Sequence, residues 1–415
     1  MDVLSIEGGR RLTGRIAIEG AKNAALPACV ASLLTDDAVV IHRVPQLRDV
    51  SMILFTLGSL RKRVVRNGSS VVISEEGPLS PEASAYSVRK MRASFLVLGP
   101  LVGRLGRAVV PLPGGCSIGA RPIDFHLNGL RALGANVEET SSSVTVTAER
   151  LRGTRIEFPF PSVGATEQLV MAGTLASGVT EIANAAVDPE VLDLIDLLRT
   201  MGAEIEVRGR TVRVAESKLH GAEHAIIPDR MEAGTLLLAG VATRGAVTVA
   251  NVRPDHLESF LDALRAMGAH VSSENGDVTA SAADGVRATE ITTGPHPAFP
   301  TDLHPQIAAT LACATGTSRI VETVFEGRTT YVEGLRAMGA QISTDGRTVT
   351  ITGVPQLRGA SVEAPDIRAG AALVIGALAA QGRTRLSGLE HIERGYDRLA
   401  EKLQSLGASI ERREA

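Results

Sequence analysis

The sequence predicts an α/β protein made of two inside-out α/β domains with an active-site cleft between them. Each domain is expected to hold three repeated units of strand, helix, strand, helix, strand and strand. The chain has 415 residues, enough for two domains with sizeable cores. A glycine-containing phrase recurs at nearly constant intervals, and alanine- and leucine-rich helical segments recur with it.

The recurring phrase begins as LRALGANV at Leu130, and the intervals between its successive glycines are 66 to 71 residues long. Further copies begin at Leu198, Leu264, Leu335 and Leu403, with glycines at Gly134, Gly202, Gly268, Gly339 and Gly407 over the five copies. A weaker copy, LRKRVV at Leu60, has Arg61 at the glycine position. The pattern is typical of a helix end, a glycine in the C-terminal cap and a following strand. Alternating segments such as TVRV from Thr211 predict a hairpin after each phrase.

Each repeat also contains an earlier helix that is apolar nearly all round and is therefore predicted to be buried. These helices are expected to begin near Ala21, Met91, Ala165, Met231, Thr301 and Ile367. Segments such as RLTGRIAIEG, RLRGTRIEF and QLRGASVEA predict a lead-in strand before a helix. The first of these is expected to complete the last repeat, which would place the N-terminus in the C-terminal domain. The predicted domains are residues 21–228, and residues 1–20 together with 229–415.

The composition argues against several classes of protein. A net charge of −3 gives no reason to expect a nucleic-acid partner. No apolar run reaches the roughly 18 to 20 residues of a membrane span, and the start lacks the pattern of a signal peptide. Three distant cysteines, Cys29, Cys116 and Cys313, argue against a disulfide framework or a zinc site. A cytoplasmic protein is therefore expected, without a membrane partner.

Charged and polar side chains collect at or just before the starts of the buried helices. They are Lys22, Asn23, Arg92, Arg230, Asp302 and Arg368. Helix starts present free N–H groups and a positive dipole end, which suit phosphate and carboxylate ligands. These residues would form a basic site if the helix starts face one cleft. Salt bridges between domains, or helix caps, explain the same spacing equally well.

One connection is longer than its counterparts in the other repeats. It reads PLPGGCSIGARPID, from Pro111 to Asp124, and its glycines and prolines make it a candidate lid. Cys116 lies at its centre with Arg121 close by, the kind of cation that favours a thiolate. The alternative is an incidental cysteine in a long hairpin. Cys29 and Cys313 lie in apolar helices and are expected to be core residues.

Three further segments have both a functional and a structural interpretation. SVGATEQ at Ser162 would cradle a phosphate or simply cap a helix, and Asp302 in PHPAFPTD would be catalytic or an ordinary helix-start residue. HIERGYDR places Arg394 and Arg398 about one helical turn apart, a pattern that more often marks a solvated face.

Together these motifs resemble the UDP-N-acetylglucosamine 1-carboxyvinyltransferases, a family of enolpyruvyl transferases. The resemblance spans the whole chain in order. It is carried by GAKNAALP at Gly20, MRAS at Met91, PLPGGCSIGARPID at Pro111, PSVGATE at Pro161, PDRMEAGT at Pro228, PHPAFPTD at Pro295, ETVFEGR at Glu322, APDIRAG at Ala364 and HIERGYDRL at His391. The sister family that makes enolpyruvyl-shikimate phosphate has a similar repeat architecture but lacks the cysteine loop. The resemblance implies the same two-domain fold that the repeats predict.

The activity implied is transfer of the enolpyruvyl group of phosphoenolpyruvate to the 3-hydroxyl of UDP-N-acetylglucosamine, the first committed step of peptidoglycan precursor synthesis. Cys116 would donate a proton to the methylene carbon, could form a covalent phosphoenolpyruvate adduct, and would be alkylated by fosfomycin. Lys22, with Asn23 beside it, would hold the phosphate, and Arg121 and Arg394 would surround the same anion. The scheme requires no metal and no cofactor.

The resemblance also implies roles on the acceptor side. Asp302 would take the proton from the sugar hydroxyl, and Asp366 and Arg368 would form an acidic and basic pair at a closing interface. The nucleotide-sugar contacts would be Arg92, Arg121, Pro122, Ile123, Asp124, Phe125, Pro161, Ser162, Val163, Gly164 and Val324. A base for the hydroxyl and an acid for the carbon are what this reaction needs, and two dense anions need several fixed cations.

One stretch departs from the family pattern. FEGRTTY has Gly327 where the family has asparagine, Thr329 in place of an aromatic residue and Tyr331 in place of histidine. Because this stretch adjoins the nucleotide-sugar side, a paralogue with another nucleotide acceptor is the first alternative. A catalytically silent binding protein is the second, and the joint presence of Cys116, Lys22, Asp302 and Arg394 argues against it.

Overall fold

The computed structural model describes residues 2–112 and 123–414, and contacts divide the chain into two compact units. The 20–227 unit comprises residues 20–112 and 123–227, and the 228–414 unit comprises residues 228–414 together with 2–19. Three sheets belong to each unit. The predicted α/β class with two repeat-built α/β bodies is confirmed.

The described strands, in chain order, are β1 (Asp2–Glu7), β2 (Thr13–Ala17), β3 (Val39–His42), β4 (Lys62–Asn67), β5 (Ser70–Glu75), β6 (Arg107–Pro111), β7 (Asn136–Glu139), β8 (Ser143–Thr147), β9 (Arg155–Glu157), β10 (Val179–Ala183), β11 (Ile205–Arg208), β12 (Thr211–Ala215), β13 (Glu223–Ala225), β14 (Ala246–Ala250), β15 (His270–Glu274), β16 (Asp277–Ser281), β17 (Glu290–Thr292), β18 (Thr317–Val321), β19 (Gln341–Asp345), β20 (Thr348–Thr352), β21 (Ser361–Glu363), β22 (Arg383–Ser387) and β23 (Ser409–Glu414).

The described α-helices are α1 (Lys22–Ala31), α2 (Arg48–Ser59), α3 (Ala85–Lys90), α4 (Leu98–Leu105), α5 (Asp124–Ala132), α6 (Val163–Gly173), α7 (Pro189–Thr200), α8 (Arg230–Ala242), α9 (Glu258–Ala266), α10 (His304–Leu311), α11 (Val332–Ala337), α12 (Ile367–Ala379), α13 (Leu389–Ile392) and α14 (Leu399–Ser405). Short 3₁₀ helices span Ser32–Leu34, Arg92–Val97, Pro254–His256 and Thr301–Leu303.

The alanine- and leucine-rich helices form the interior, as their composition predicts. In the 228–414 unit, α8, α10 and α12 pack against one another, and nearly every residue of α8 and α12 is buried. Small residues allow this close packing: a Cβ added at Gly234 would lie 2.6 Å from a methyl group of Leu303. Arg230 and Arg368, at the starts of α8 and α12, are therefore anchored in a closely packed core and are themselves buried.

The recurring glycines occupy the left-handed conformation that ends each second helix. Gly134 and Gly407 have φ angles of 90° and 102°, values that suit glycine because it lacks a Cβ atom. Arg61, in the weaker copy, has a φ of 71°. The first repeat therefore ends its second helix in the same way, with an arginine held where the others use glycine.

The sheets follow one plan, which corrects one expectation. A lead-in strand lies parallel to the strand that follows the buried helix, as β9 does with β10 and β21 with β22. The strand of RLTGRIAIEG, β2, does not complete the last repeat; it pairs in parallel with β14 of the fourth repeat. The earlier strand β1 completes the last repeat instead, between β22 and β23.

The physical reason is an exchange of lead-in strands. The chain leaves β2 and enters α1, but the lead-in strand of the α1 repeat is β13, which lies parallel to β3. The chain then leaves β13 and enters α8, whose lead-in strand is β2. The helix that follows β2 in the chain, α1, therefore belongs to a different repeat from the one that β2 completes. Repeat spacing alone could not reveal this exchange.

Candidate active site

Lys22 begins α1 in the 20–227 unit, where the sequence places it. Its Nζ lies 3.3 Å from Oδ2 of Asp49, and both side chains are buried. Asp49 lies in the first turn of α2, which packs against α1. An ammonium fixed at a helix start by a carboxylate is well placed to receive a phosphate group.

Two more predicted residues lie at the starts of buried helices in this unit. Asn23 follows Lys22 on α1 and is half-buried, and Arg92 begins the 3₁₀ helix Arg92–Val97, which contacts α1. Arg92 is also half-buried. These placements agree with the helix starts that the repeats predict.

The two segments expected to contact the nucleotide sugar in this unit come together. Phe125, on α5, stacks on Phe158 with ring centroids 5.8 Å apart. His126 Nδ1 lies 3.0 Å from the Gln168 side-chain oxygen of α6, and a Cβ at Gly164 would come within 3.2 Å of the His126 ring. The stretch Ile123 to Phe125 therefore lies beside the turn from Pro161 to Gly164.

That turn is capped as the sequence allows. Ser162 Oγ accepts a 3.4 Å hydrogen bond from the Ala165 backbone N–H, and Val163 begins α6 with its side chain exposed. Asp124 begins α5 and is exposed as well. The capping interpretation of Ser162 therefore holds, and its half-buried position leaves the turn accessible.

Asp302 has two guanidinium partners in the 228–414 unit. Arg328 Nη2 donates to Oδ1 at 2.7 Å, and Arg368 donates to Oδ2 through Nη2 at 2.8 Å and Nε at 3.0 Å. The Asp302 side chain is 26% exposed, whereas both arginine side chains are almost fully buried. Two cations facing one carboxylate favour its ionised form.

Arg368 is held from several sides at the start of α12. Its Nη1 donates to the Tyr396 hydroxyl at 3.1 Å. Burial alone would lower the pKa of Arg368, but Asp302 outweighs it and raises the pKa. Asp366 caps α12 by accepting from the Arg368 and Ala369 backbone N–H groups, and its other oxygen accepts from the Thr330 hydroxyl. The predicted pair Asp366 and Arg368 is thus joined through the helix cap.

Val324 and Arg394 lie on loops of the same unit. The Val324 backbone N–H donates to the buried Glu322 carboxylate at 2.8 Å, which fixes the turn after β18. Arg394 follows α13, half-buried, two residues before Tyr396.

Cys116, Arg121 and Pro122 lie outside the described residues. Residues 2–112 and 123–414 contain no cluster of His, Cys, Asp or Glu suited to a metal ion. None of the described helices is long and apolar enough to span a membrane.

Comparison with known proteins decides the family. Residues 6–403 match the family model for EPSP synthase (3-phosphoshikimate 1-carboxyvinyltransferase). The chain is 48% identical to UDP-N-acetylglucosamine 1-carboxyvinyltransferase 2 of Carboxydothermus hydrogenoformans, with 99% of both chains covered. The chain belongs to the carboxyvinyltransferase family. A relative from Desulfosudis oleivorans, named UDP-N-acetylglucosamine 1-carboxyvinyltransferase, is 45% identical over 99% of both chains.

Solved carboxyvinyltransferase structures share the fold. The enolpyruvyl transferase NikO from Streptomyces tendae is 26% identical, with a TM-score of 0.91 over 100% of this chain and 99% of its own. An EPSP synthase from Acinetobacter baumannii superimposes with a TM-score of 0.78 at 19% identity, covering all of both chains, and supports the fold alone.

Sequence reasoning missed the partners of the predicted residues. Asp49, Arg328, Thr330 and Tyr396 contact Lys22, Asp302, Asp366 and Arg368 respectively. One signal was present: Arg328 and Thr330 lie in the stretch FEGRTTY that departs from the family pattern. Tyr331 of that stretch is fully buried, and its hydroxyl contacts His304. The altered stretch has three residues with hydroxyl groups, and two of them, Thr330 and Tyr331, make hydrogen bonds within their own unit.

Proposed function

We propose that this chain transfers the enolpyruvyl group of phosphoenolpyruvate to the 3-hydroxyl of UDP-N-acetylglucosamine, releasing phosphate. The reaction would be the first committed step of peptidoglycan precursor synthesis, in the cytoplasm. The observation that carries this proposal is the 48% identity, over 99% of both chains, to a protein named for that activity. The two guanidinium groups that face Asp302 favour its carboxylate form, which is the form that a proton acceptor needs.

The proposed reaction has an addition and an elimination. In the addition, the sugar oxygen bonds to carbon 2 of phosphoenolpyruvate as the double bond breaks, and carbon 3 gains a proton. Cys116 would supply that proton, and Asp302 would accept the proton of the hydroxyl. In the elimination, carbon 3 would return a proton to the Cys116 thiolate, the double bond would form again, and phosphate would leave with the bonding electron pair and take up the proton held by Asp302.

Fixed cations would stabilise the anions of phosphoenolpyruvate and of the leaving phosphate. Lys22 at the start of α1 would bind the phosphate, with Asn23, Arg121 and Arg394 beside it. Arg92, Pro122, Ile123 to Phe125, Pro161 to Gly164 and Val324 would contact the nucleotide sugar. Asp366 would hold the α12 start from which Arg368 reaches Asp302.

The test is phosphate release from phosphoenolpyruvate with a panel of acceptors. We expect release with UDP-N-acetylglucosamine and none with UDP, UMP or UDP-glucuronic acid. Asp302→Asn should lower kcat about 100-fold or more, because general base catalysis contributes on that order. Asp345→Asn is the matched control, since Asp345 is exposed at the end of β19. Release with a different nucleotide only would favour the paralogue, and release with none would overturn the activity.

A further inference from the structure

The buried carboxylate of Glu322 accepts four hydrogen bonds, two at each oxygen. Oε1 accepts from the backbone N–H groups of Val324 at 2.8 Å and Phe325 at 3.0 Å. Oε2 accepts from His304 Nδ1 at 2.8 Å and from the Thr301 hydroxyl at 3.0 Å. A carboxylate has about four lone-pair sites, so one side chain organises two separate stretches of chain.

The Oε1 bonds hold the turn that carries Val324, a proposed nucleotide-sugar contact. The Oε2 bonds begin a second branch that ends at Asp302. Thr301 donates its hydroxyl proton to Glu322, so its oxygen is free to accept from Arg328 Nε, at 3.1 Å. The same guanidinium donates to Asp302 Oδ1 at 2.7 Å. Glu322 is thus two hydrogen bonds away from the Arg328 that orients Asp302.

The direction of every proton in this network follows from Glu322 being acceptor-only. His304 must donate from Nδ1, and in a neutral imidazole Nε2 is then an acceptor, to which the Tyr331 hydroxyl donates at 2.9 Å. His304 and Tyr331 are fully buried. Burial lowers the pKa of His304, although the Glu322 carboxylate opposes it, which agrees with a neutral imidazole. The altered residue Tyr331 therefore locks the tautomer that Glu322 needs.

We propose that Glu322 is a positioning residue. It holds the turn at Val324, a proposed nucleotide-sugar contact, and, through Thr301 and Arg328, it fixes the orientation of Asp302. A residue needed only for packing would gain nothing from a buried charge, which is costly unless it is fully hydrogen-bonded. The hydrogen bonds of Glu322 lead instead to Val324 and Asp302, which are both proposed to act on the nucleotide sugar. This inference rests on the proposed function and deepens it.

Three substitutions test the network in steady-state kinetics with both substrates. Thr301→Val removes the middle hydroxyl at nearly constant volume, and we expect kcat to fall about tenfold, the effect of losing one hydrogen bond to a charged group. The KM values for both substrates should stay within about twofold, because the Val324 turn keeps its own bonds to Glu322. Thr301→Ser retains the hydroxyl and should restore kcat.

Glu322→Gln leaves one acceptor oxygen for two branches, so one branch must lose its acceptor. We expect kcat/KM for UDP-N-acetylglucosamine to fall about tenfold or more while KM for phosphoenolpyruvate stays unchanged. Glu333→Gln is the matched control, because Glu333 is exposed on α11 and pairs with Arg336 at the surface.

Unchanged kcat in Thr301→Val, or equal losses in Thr301→Val and Thr301→Ser, would overturn the role of Glu322. So would a KM for phosphoenolpyruvate that rises as much as the KM for the acceptor. If Glu322→Gln fails to fold, the two Thr301 variants still decide. A wild-type protein that releases no phosphate with UDP-N-acetylglucosamine would overturn the proposed function itself, whereas an active wild type with unaffected variants overturns only this inference.

Discussion

Glu232 and Glu322 are both buried in the 228–414 unit, yet their surroundings drive their ionisation in opposite directions. Glu232, at the start of α8, faces the Lys402 ammonium at 2.5 Å and has one long contact, 3.4 Å, from the Glu19 backbone N–H. Burial raises the pKa of Glu232 to about 7, although Lys402 opposes it. Burial would also raise the pKa of Glu322, but the hydrogen bond and charge interaction with His304, together with the backbone N–H groups of Phe325 and Val324, lower the pKa to about 2.

The difference shows what keeps a buried carboxylate charged. One ion pair replaces only part of the hydration that Glu232 loses, and its second oxygen is poorly solvated. Glu322 recovers its hydration through His304, Thr301 and two backbone N–H groups. Several well-placed hydrogen-bond donors, His304 among them, therefore keep a buried carboxylate charged more effectively than one ion pair does, and they also fix its geometry.

The largest effect should come from replacing Glu322 with leucine. The substitution leaves two backbone N–H groups, the His304 N–H and the Thr301 hydroxyl without their acceptor. Each buried unsatisfied donor costs about 1 to 3 kcal/mol, so we expect a loss of at least about 4 kcal/mol of stability. Scanning calorimetry would measure it, with Glu333→Leu as the exposed control. A loss no larger than that of the control would show that the Glu322 hydrogen bonds are unimportant.

The sequence predicts where site residues lie better than it predicts what they contact. The repeat spacing places Lys22, Arg92 and Arg368 at the starts of buried helices, and the glycine phrase identifies the helix end at Arg61 despite its side chain. These features depend on local patterns of apolar residues and on one backbone conformation. The fold class depends on the same local patterns, and the structure confirms it.

Contacts between residues that are far apart in the chain could not be predicted in this way. Asp302 pairs with Arg328 and Arg368, which are 26 and 66 residues away. Because the repeats have equivalent helix starts, the sequence does not say which neighbour each charge faces. Likewise, β2 pairs outside the repeat that follows it in the chain. Glu322 carries no local signal, since its four donors are assembled only when the turn after β18 meets the start of α10.

The second effect is a pH dependence of stability that Glu232 should show between about pH 4.5 and pH 7, whereas that of Glu322 should lie between about pH 2 and pH 4.5. The pKa of Glu232 is about 7 in the folded chain and 4.5 in a model peptide. Between these values the folded state keeps a proton that the unfolded state releases, so stability falls as pH rises. The decline should total about 3 kcal/mol and level off above pH 7.

Glu232→Gln removes that titration, so the stability difference between wild type and variant should change between about pH 4.5 and pH 7. The corresponding difference for Glu322→Gln should stay nearly constant over this range, because the pKa of Glu322 is 4.5 in a model peptide and about 2 in the folded chain, and neither value lies above the start of the window. Denaturant unfolding at each pH measures both. A flat difference for Glu232→Gln would mean that Lys402 keeps Glu232 fully ionised.

The smallest effect is expected when both members of the Glu232 pair are replaced. Glu232→Leu alone leaves the Lys402 ammonium buried without its partner, which should cost about 3 kcal/mol. Lys402 has a side chain that is 9% exposed, so water can compensate little of this loss.

The double variant Glu232→Leu with Lys402→Leu removes both charges and fills the space with apolar atoms. Its stability should lie within about 1 kcal/mol of the wild type, because a buried ion pair is often no better than an apolar pair of similar volume. No second substitution should rescue Glu322→Leu in this way, because two of its stranded donors belong to the backbone. A double variant that is less stable than both single variants would show that the Glu232 pair, like the Glu322 network, is held by bonds that apolar packing cannot replace.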